Sequence, residues 1–190
     1  MTITDIIQNR RSVFPRSYDR TRDIPKEVIL HILENANFAP MHKLTEPFRC
    51  DVLKGDIRQD LADFMIRDYL QYTPVEAQSE MKMQKISENP LFSNVVIVLK
   101  MKRHAHLIAE WEEIASVAMA VQNMWLTCST LGIGAYWSTP DSMVLRGGNF
   151  IKLAEDEKCL GLFYMGYVQT EINLPVPKRS PMMDKITWHG

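Results

Sequence analysis

The stretch that decides the fold is Asn94-Val95-Val96-Ile97-Val98-Leu99, in which one asparagine precedes an unbroken apolar, mostly β-branched run. Such a run is typical of a central strand that is covered on both faces. The clearest helical pattern follows it, because apolar residues recur every three or four positions from Ile114 to Leu131, just before Gly132. A buried strand followed by a long amphipathic helix predicts a sheet with helices packed on it.

Three further strands are predicted around this pair. Residues 48–53 alternate apolar and polar side chains in the manner of a half-buried strand. Residues 133–138 form an apolar stretch that ends before Pro140, and residues 159–168 form another. With the central run, these segments predict four strands.

Helical patterns lie between the strands. Thr2 and Asp5 have the spacing of a capping box at the start of an N-terminal helix, and Pro25 suits the first turn of a helix that ends at Pro40. Asp56 can cap a helix over residues 57–70, and residues 74–89 have a weaker helical pattern. Since no regular βαβ unit, internal repeat or linker is found, we predict a single α+β domain over residues 1–190.

The C-terminal tail, from Asn173 to Gly190, contains three prolines and is predicted to be extended, with at most a short helix. Its apolar end is unusual for a chain terminus. We expect it to pack on another surface, such as that of a second subunit. The apolar residues concerned are Met182, Met183, Ile186 and Trp188.

Composition narrows the class of protein. Apolar residues make up 46% and charged residues 24% of the 190 residues, as in an ordinary globular protein. The 22 basic and 23 acidic residues give a net charge of -1, so no overall charge favours nucleic acid or an anionic membrane. No apolar run is long enough to span a membrane. The chain has three cysteines, Cys50, Cys128 and Cys159, which lie far apart in the sequence. An odd number of distant cysteines disfavours a disulfide framework or a cysteine metal site and indicates the cytoplasm.

Common motifs for nucleophilic catalysis, for phosphate-binding loops and for dinucleotide binding are absent. One set of residues could be read as a metal site: His104, His106 and Glu110. Histidines two residues apart do not share a helical face. A solvated start to the long helix is the better interpretation, and no metal is predicted.

Four segments, in this order, resemble the nitroreductase family of flavin mononucleotide (FMN) enzymes, and the likeness is closest to its compact bacterial branch. They span nearly the whole chain. The segments are Asn9-Arg10-Arg11-Ser12; Ala39-Pro40-Met41-His42-Lys43, leading to Pro47-Phe48; Leu131-Gly132-Ile133-Gly134-Ala135-Tyr136-Trp137-Ser138; and Leu162-Phe163-Tyr164-Met165-Gly166-Tyr167, followed by Lys178-Arg179.

The resemblance implies an α+β fold with a central, mostly antiparallel sheet and a C-terminal arm that packs on the partner of a homodimer. It implies FMN as cofactor, NADH or NADPH as electron donor, and nitroaromatic, quinone or similar acceptors reduced by a ping-pong mechanism. The flavin carries the chemistry, so no catalytic side chain is expected.

The resemblance also implies which residues bind the flavin. One group would hold the phosphate and ribityl chain, a second would bind the flavin with its histidine reaching the ring from the other subunit, and a third would meet the flavin edge. In that order, the groups are Arg10, Arg11, Ser12, Lys178 and Arg179; Pro40, Met41 and His42; and Trp137, Ser138 and Thr139.

Departures from the family pattern leave alternatives open. At five places the chain differs from many relatives, namely at Phe14, Phe38, Met41, Leu44 and Ser138. A flavin-binding module for storage, sensing or flavin modification, without reductase turnover, is the second hypothesis. The third is an α+β interaction protein without a cofactor, in which the paired arginines only face solvent at a helix end.

Overall fold

The computed structural model describes residues 1–170, 172 and 174–190. Among these residues, four strands form one antiparallel sheet in the order β1-β2-β4-β3. The predicted strands and the α+β class are confirmed. The strands are β1 Phe48–Leu53, β2 Val95–Lys102, β3 Ile133–Ser138 and β4 Glu157–Tyr167.

The quoted run lies at the centre of the sheet. In β2, the side chains from Val95 to Leu99 are fully buried, because β1 and β4 flank the strand and helices cover both of its faces. An unbroken apolar run is the pattern that such a position requires.

Six α-helices surround the sheet in the described residues. The Thr2–Asp5 capping box is confirmed at the first helix, whereas the Asp56 side chain makes no capping hydrogen bond. The helices are α1 Ile3–Asn9, α2 Lys26–Ala36, α3 Ile57–Tyr72, α4 Glu80–Phe92, α5 Glu110–Thr130 and α6 Asp141–Val144. None of these helices is both long and apolar enough to cross a membrane.

The helices form two layers. Helices α2 and α5 pack on one face of the sheet, where Ile32, Val121 and Phe163 belong to one buried cluster. Residues of α3 and α6, such as Leu61 and Met143, belong to a second cluster on the other face, and α4 packs against α3. This arrangement leaves the outer edge of β3 outside the two helical layers.

The tail is extended over residues 174–190 apart from one short turn at Met182–Lys185, as predicted. Asn173, with which the predicted tail begins, lies outside the described residues. The apolar end of the tail is exposed in the single chain, and Trp188 has 79% of its surface accessible.

Candidate active site

A segment before the first short turn runs along the outer edge of β3. Ser12 forms a parallel bridge with Ala135, and the amide N–H of Val13 donates to the Ala135 carbonyl at 3.0 Å. We call residues 10–14 the edge segment. At about 3.3 Å per residue it covers about 13 Å, from Arg10 to Phe14.

Arg10 is at the first end of the edge segment. Its guanidinium lies 4.6 Å from the ring centroid of Trp125 on α5, and its buried Nη1 has no hydrogen-bond partner among the described residues. Burial, together with the positive charges of Arg11 and Arg179, lowers the pKa of Arg10. Because like charges gather here around an unpaired donor, the arrangement can bind an anion.

The other predicted members of this anion site differ in their contacts. Arg11 donates to the carbonyls of Gln8 and Arg10, at 2.6 Å and 3.0 Å, so its guanidinium covers the end of α1. Ser12 is exposed. Lys178 is also exposed, and the structure gives it no specific contact. Arg10 and Arg179 are therefore the better supported pair.

The predicted flavin-edge residues follow where β3 ends. Trp137 is half-buried, and its indole Nε1 donates to the Leu160 carbonyl at 3.0 Å. Gly161 sits beneath this turn with a φ of +120°, and a Cβ atom there would lie 2.3 Å from the Ser138 carbonyl oxygen. Gly161 therefore packs closely against the backbone at the end of β3, while the Thr139 side chain is exposed.

Phe14, at the second end of the edge segment, packs on Tyr136 with ring centroids 4.6 Å apart. Tyr136 opens onto a cleft of about 680 Å³ between α3, α4, the end of β3 and α6. We call it the tyrosine cleft. Its walls are mainly aromatic and charged, and they include Asp68, Tyr69, Tyr72, Lys82, Lys85, Tyr136, Trp137, Ser138, Thr139, Asp141, Arg146 and Tyr164.

An ion pair forms part of the wall of this cleft. Arg146 binds Asp68 through two hydrogen bonds of 2.5 Å and 2.7 Å, and the hydrogen bonding raises the pKa of Arg146. The same guanidinium lies 4.3 Å from the ring centroid of Tyr72. The pair joins α3 to the segment after α6 and fixes the shape of the cleft.

The predicted group Pro40, Met41 and His42 lies elsewhere. The loop after α2 places His42 Nδ1 2.5 Å from Glu112 Oε2 on α5. Thirteen residues separate Glu112 from Trp125 on the same helix, which is about 20 Å at 1.5 Å per residue. Within one chain, His42 therefore does not approach Arg10.

The structure thus places Arg10 to Ser12 and Trp137 to Thr139 along β3 and separates the group of Pro40, Met41 and His42 from them. Sequence reasoning missed Trp125, Glu112 and the cleft-wall residues Lys85 and Arg146. Trp125 belongs to the apolar stripe of α5 and gives no separate signal in the sequence, and the Asp68–Arg146 pair joins residues 78 positions apart. No local spacing signals such a contact.

The metal interpretation also finds no support. His104 Nδ1 lies 2.8 Å from Glu113 Oε1, and Glu110 instead binds Lys158 at 2.7 Å. No cluster of potential ligands is found in the part of the chain that the structure describes.

The three cysteines are free thiols; Cys128 and Cys159 are buried and Cys50 is half-buried.

Comparison with known proteins places these features in a family. The model of the Nitroreductase family matches residues 7–167. YfhC of Bacillus subtilis strain 168, named as a candidate NAD(P)H nitroreductase, is 26% identical over 97% of this chain and 93% of its own length.

Solved structures share the fold. A nitroreductase-like family protein from Bacillus cereus has a TM-score of 0.82 and 24% identity, covering 100% of this chain and 96% of its own. The FMN- and NADPH-dependent nitroreductase NfnB of a Sphigopyxis strain has a TM-score of 0.81 and 16% identity, with both chains covered completely. A nitroreductase with bound FMN from Bacteroides fragilis has a TM-score of 0.75 and 19% identity, again with complete coverage of both. Since the family model matches most of the sequence, the chain belongs to the nitroreductase family.

Proposed function

We propose that this protein is an FMN-dependent oxidoreductase that takes electrons from NAD(P)H and passes them to a small-molecule acceptor in the cytoplasm. The observation that carries the proposal is the buried Nη1 of Arg10, which has no hydrogen-bond partner in the described part of the chain and lies at one end of a segment that leads to the tyrosine cleft. Its relatives support the cofactor, because NfnB is FMN- and NADPH-dependent and the Bacteroides fragilis enzyme contains FMN.

The residues present fit this cofactor. Arg10 and Arg179 would hold the phosphate by charge-assisted hydrogen bonds, aided by Arg11 and Lys178. The exposed Ser12 beside Ala135 would face the ribityl chain. The end of β3, from Trp137 to Thr139, would meet the edge of the ring. FMN supplies the redox chemistry when it is bound, and the chain binds and orients it.

A homodimer completes the site in this proposal. His42 and Arg10 lie near opposite ends of α5, so a two-fold related copy with α5 antiparallel would bring Pro40, Met41 and His42 of one chain to Arg10 of the other. Exposed apolar side chains support a covered surface here, since Trp111 on α5 and Leu44 beside His42 are 70% and 85% exposed. The extended tail would pack on the partner in the same assembly.

Nitroaromatic compounds, quinones and similar molecules are the proposed acceptors. In the two-electron reduction, a nitro group, one NAD(P)H and one proton give a nitroso group, NAD(P)⁺ and one water molecule. Donor and acceptor would use the same open flavin face in turn, which gives ping-pong kinetics. The aromatic walls of the tyrosine cleft suit such planar ligands.

The test begins with absorbance at about 450 nm in the purified protein, which reports bound flavin. Initial rates of NADH and NADPH oxidation are then measured with a nitroaromatic and with a quinone acceptor. Parallel double-reciprocal lines are expected. A colourless protein that does not bind added FMN would refute the proposal, and flavin binding without turnover would favour the binding module.

A further inference from the structure

Two glycines of the sheet make room for one aromatic side chain. Gly134 of β3 and Gly166 of β4 are register partners, so any side chains there would lie on the same face of the sheet. A Cβ atom on Gly166 would lie 2.5 Å from Cγ of Tyr18, and one on Gly134 would lie 2.9 Å from Cε1 of the same ring. Contacts this close leave no space for a side chain at either position. The two glycines therefore form a slot for Tyr18, which we call the glycine slot.

The Tyr18 side chain is fully buried in the glycine slot, and its backbone is fixed to the end of β4. Tyr18 forms an antiparallel bridge with Val168, and the side-chain amide of Gln169 donates to the Tyr18 carbonyl at 3.1 Å. The amide N–H of Asp19 donates to the Tyr167 carbonyl at 2.7 Å. The ring and the backbone of Tyr18 are therefore both held at β4.

The hydroxyl group of Tyr18 joins the edge segment to this strand. It donates to the Val13 carbonyl at 2.8 Å and to the Tyr164 carbonyl of β4 at 3.1 Å, so that two carbonyls share one proton. Val13 and Tyr164 are both buried. Because a buried carbonyl that loses its donor raises the free energy of the folded state, removal of the hydroxyl should weaken the attachment of the edge segment to the sheet.

Val13 also determines where its neighbours point. Its side chain is buried, whereas those of Ser12 and Phe14 are exposed, as expected for alternating side chains in an extended segment. The Val13 amide is bonded to Ala135 and the Val13 carbonyl to Tyr18. These two hydrogen bonds keep Ser12 and Phe14 on the outer side of the segment, which is the side assigned to FMN in the proposed function.

We infer that Tyr18 is a positioning residue for the flavin site. Its ring, seated in the glycine slot, sets the distance between the edge segment and the sheet, and its hydroxyl fixes the Val13 carbonyl. The edge segment is then ordered before FMN binds, so the binding of FMN does not have to supply the free energy of ordering it. This inference rests on the proposed function, which assigns the edge segment to FMN, and it adds a buried residue that acts through Val13.

The first test measures how fast FMN leaves the loaded protein, from the rise of flavin fluorescence after dilution. Tyr18→Phe keeps the ring and removes the hydroxyl. Release should be up to about fivefold faster, the change that corresponds to the loss of one hydrogen bond, and the amide proton of Val13 should exchange faster with solvent. Tyr167→Phe is the matched control, because Tyr167 is in the same strand, on the opposite face from Gly166, and packs against Arg22. Its release and exchange rates should equal those of the wild type.

Gly166→Ala tests the glycine slot itself. Gly166 is within β4, where alanine fits the backbone, so any effect should come from displacement of the Tyr18 ring. FMN release should be at least as fast as in Tyr18→Phe. Gly148→Ala is the control, since a Cβ atom there would lie 3.8 Å from Leu153 Cδ1, an ordinary contact. Tyr18→Phe, which adds no atom, decides the case should Gly166→Ala not fold.

Wild-type release of FMN and wild-type exchange at Val13 in Tyr18→Phe would overturn the inference. Faster exchange with unchanged release would also overturn it, because Tyr18 would then order a segment that FMN does not need. A lower melting temperature with unchanged release would count in the same way. A purified protein that binds no FMN would instead contradict the proposed function, and exchange at Val13 would still show whether Tyr18 holds the edge segment.

Discussion

At the scale of single residues, Arg10 is the clearest candidate for binding an anionic ligand. A guanidinium that stacks on Trp125 is fixed in orientation, and its Nη1, which has no partner among residues 1–170, 172 and 174–190, can donate a hydrogen bond to a bound ligand. Arg10→Ala should remove a charge-assisted hydrogen bond of about 1.5–3 kcal/mol. FMN affinity should then fall about tenfold to a hundredfold in a fluorescence titration.

The control for Arg10 is Arg67→Ala, since Arg67 is exposed on α3 and outside the cleft lining. Its FMN affinity should match that of the wild type. An Arg10→Ala protein with unchanged affinity would remove this residue from the phosphate site and would leave Arg179 as the main candidate.

The cysteines give a second expectation at this scale. Burial raises the pKa of Cys50 from 9.0 to about 11 and also raises those of Cys128 and Cys159. A thiol whose pKa is higher in the folded than in the unfolded state stabilises the folded state. This stabilisation is complete below the unfolded-state pKa and is lost as the pH rises above about 9. The melting temperature should therefore fall between pH 8 and pH 11, and less steeply in Cys128→Ala.

Turnover at neutral pH should be unaffected by replacing each cysteine with Ala or Ser in a folded, FMN-loaded protein, because the thiols remain protonated and inert there. Loss of turnover in such a variant would reveal a second redox group. An equally steep alkaline fall in Cys128→Ala would assign the effect to other buried groups, such as Tyr18 and Tyr164, whose pKa values burial also raises.

At the scale of elements, the loop after α2 combines a strained backbone with a proposed role in flavin binding. Lys43, Leu44 and Glu46 have φ values of 52°, 53° and 45°, which non-glycine residues rarely adopt. The pair between His42 and Glu112 anchors this loop to α5. Glu112→Ala should therefore loosen it, and trypsin should cleave after Lys43 faster than in the wild-type protein.

Glu110→Ala is the matched control for the loop, because Glu110 is on the same helix and pairs with the exposed Lys158. Its cleavage rate after Lys43 should stay at the wild-type value. Equal rates in both variants would show that other contacts hold the loop, such as the hydrogen bond from Lys43 Nζ to the Leu107 carbonyl.

The elements also show what sequence could and could not predict. The strands were predictable because burial on one or both faces leaves a direct pattern, as in residues 95–99 and 48–53. The left-handed loop residues were not, because lysine, leucine and glutamate carry no signal of positive φ. The tyrosine cleft was also hidden, since it joins α3 and α4 to the end of β3 through contacts that are distant in sequence.

At the scale of the whole molecule, one chain holds the parts of the site at two distant places. The anion site and the cleft lie along β3, whereas His42 lies about 20 Å further along α5, by the helical rise. In the proposed homodimer, a second copy would supply His42 to the same flavin. The two α5 helices would then lie close together and cover apolar side chains that are exposed in the single chain, above all Trp111.

Trp111→Asp should consequently yield a monomer in analytical ultracentrifugation and weaken FMN binding, because a buried, unpaired charge opposes association and the partner's contribution is lost. Val75→Asp introduces the same charge at a residue that is 81% exposed in the turn between α3 and α4, and it should remain a flavin-loaded dimer. Deletion of the chain from Asn173 should lose both dimer and flavin, although it also removes Arg179. The point variant is therefore decisive: a Trp111→Asp monomer with wild-type FMN affinity would show that one chain builds the whole flavin site and that His42 has no part in it.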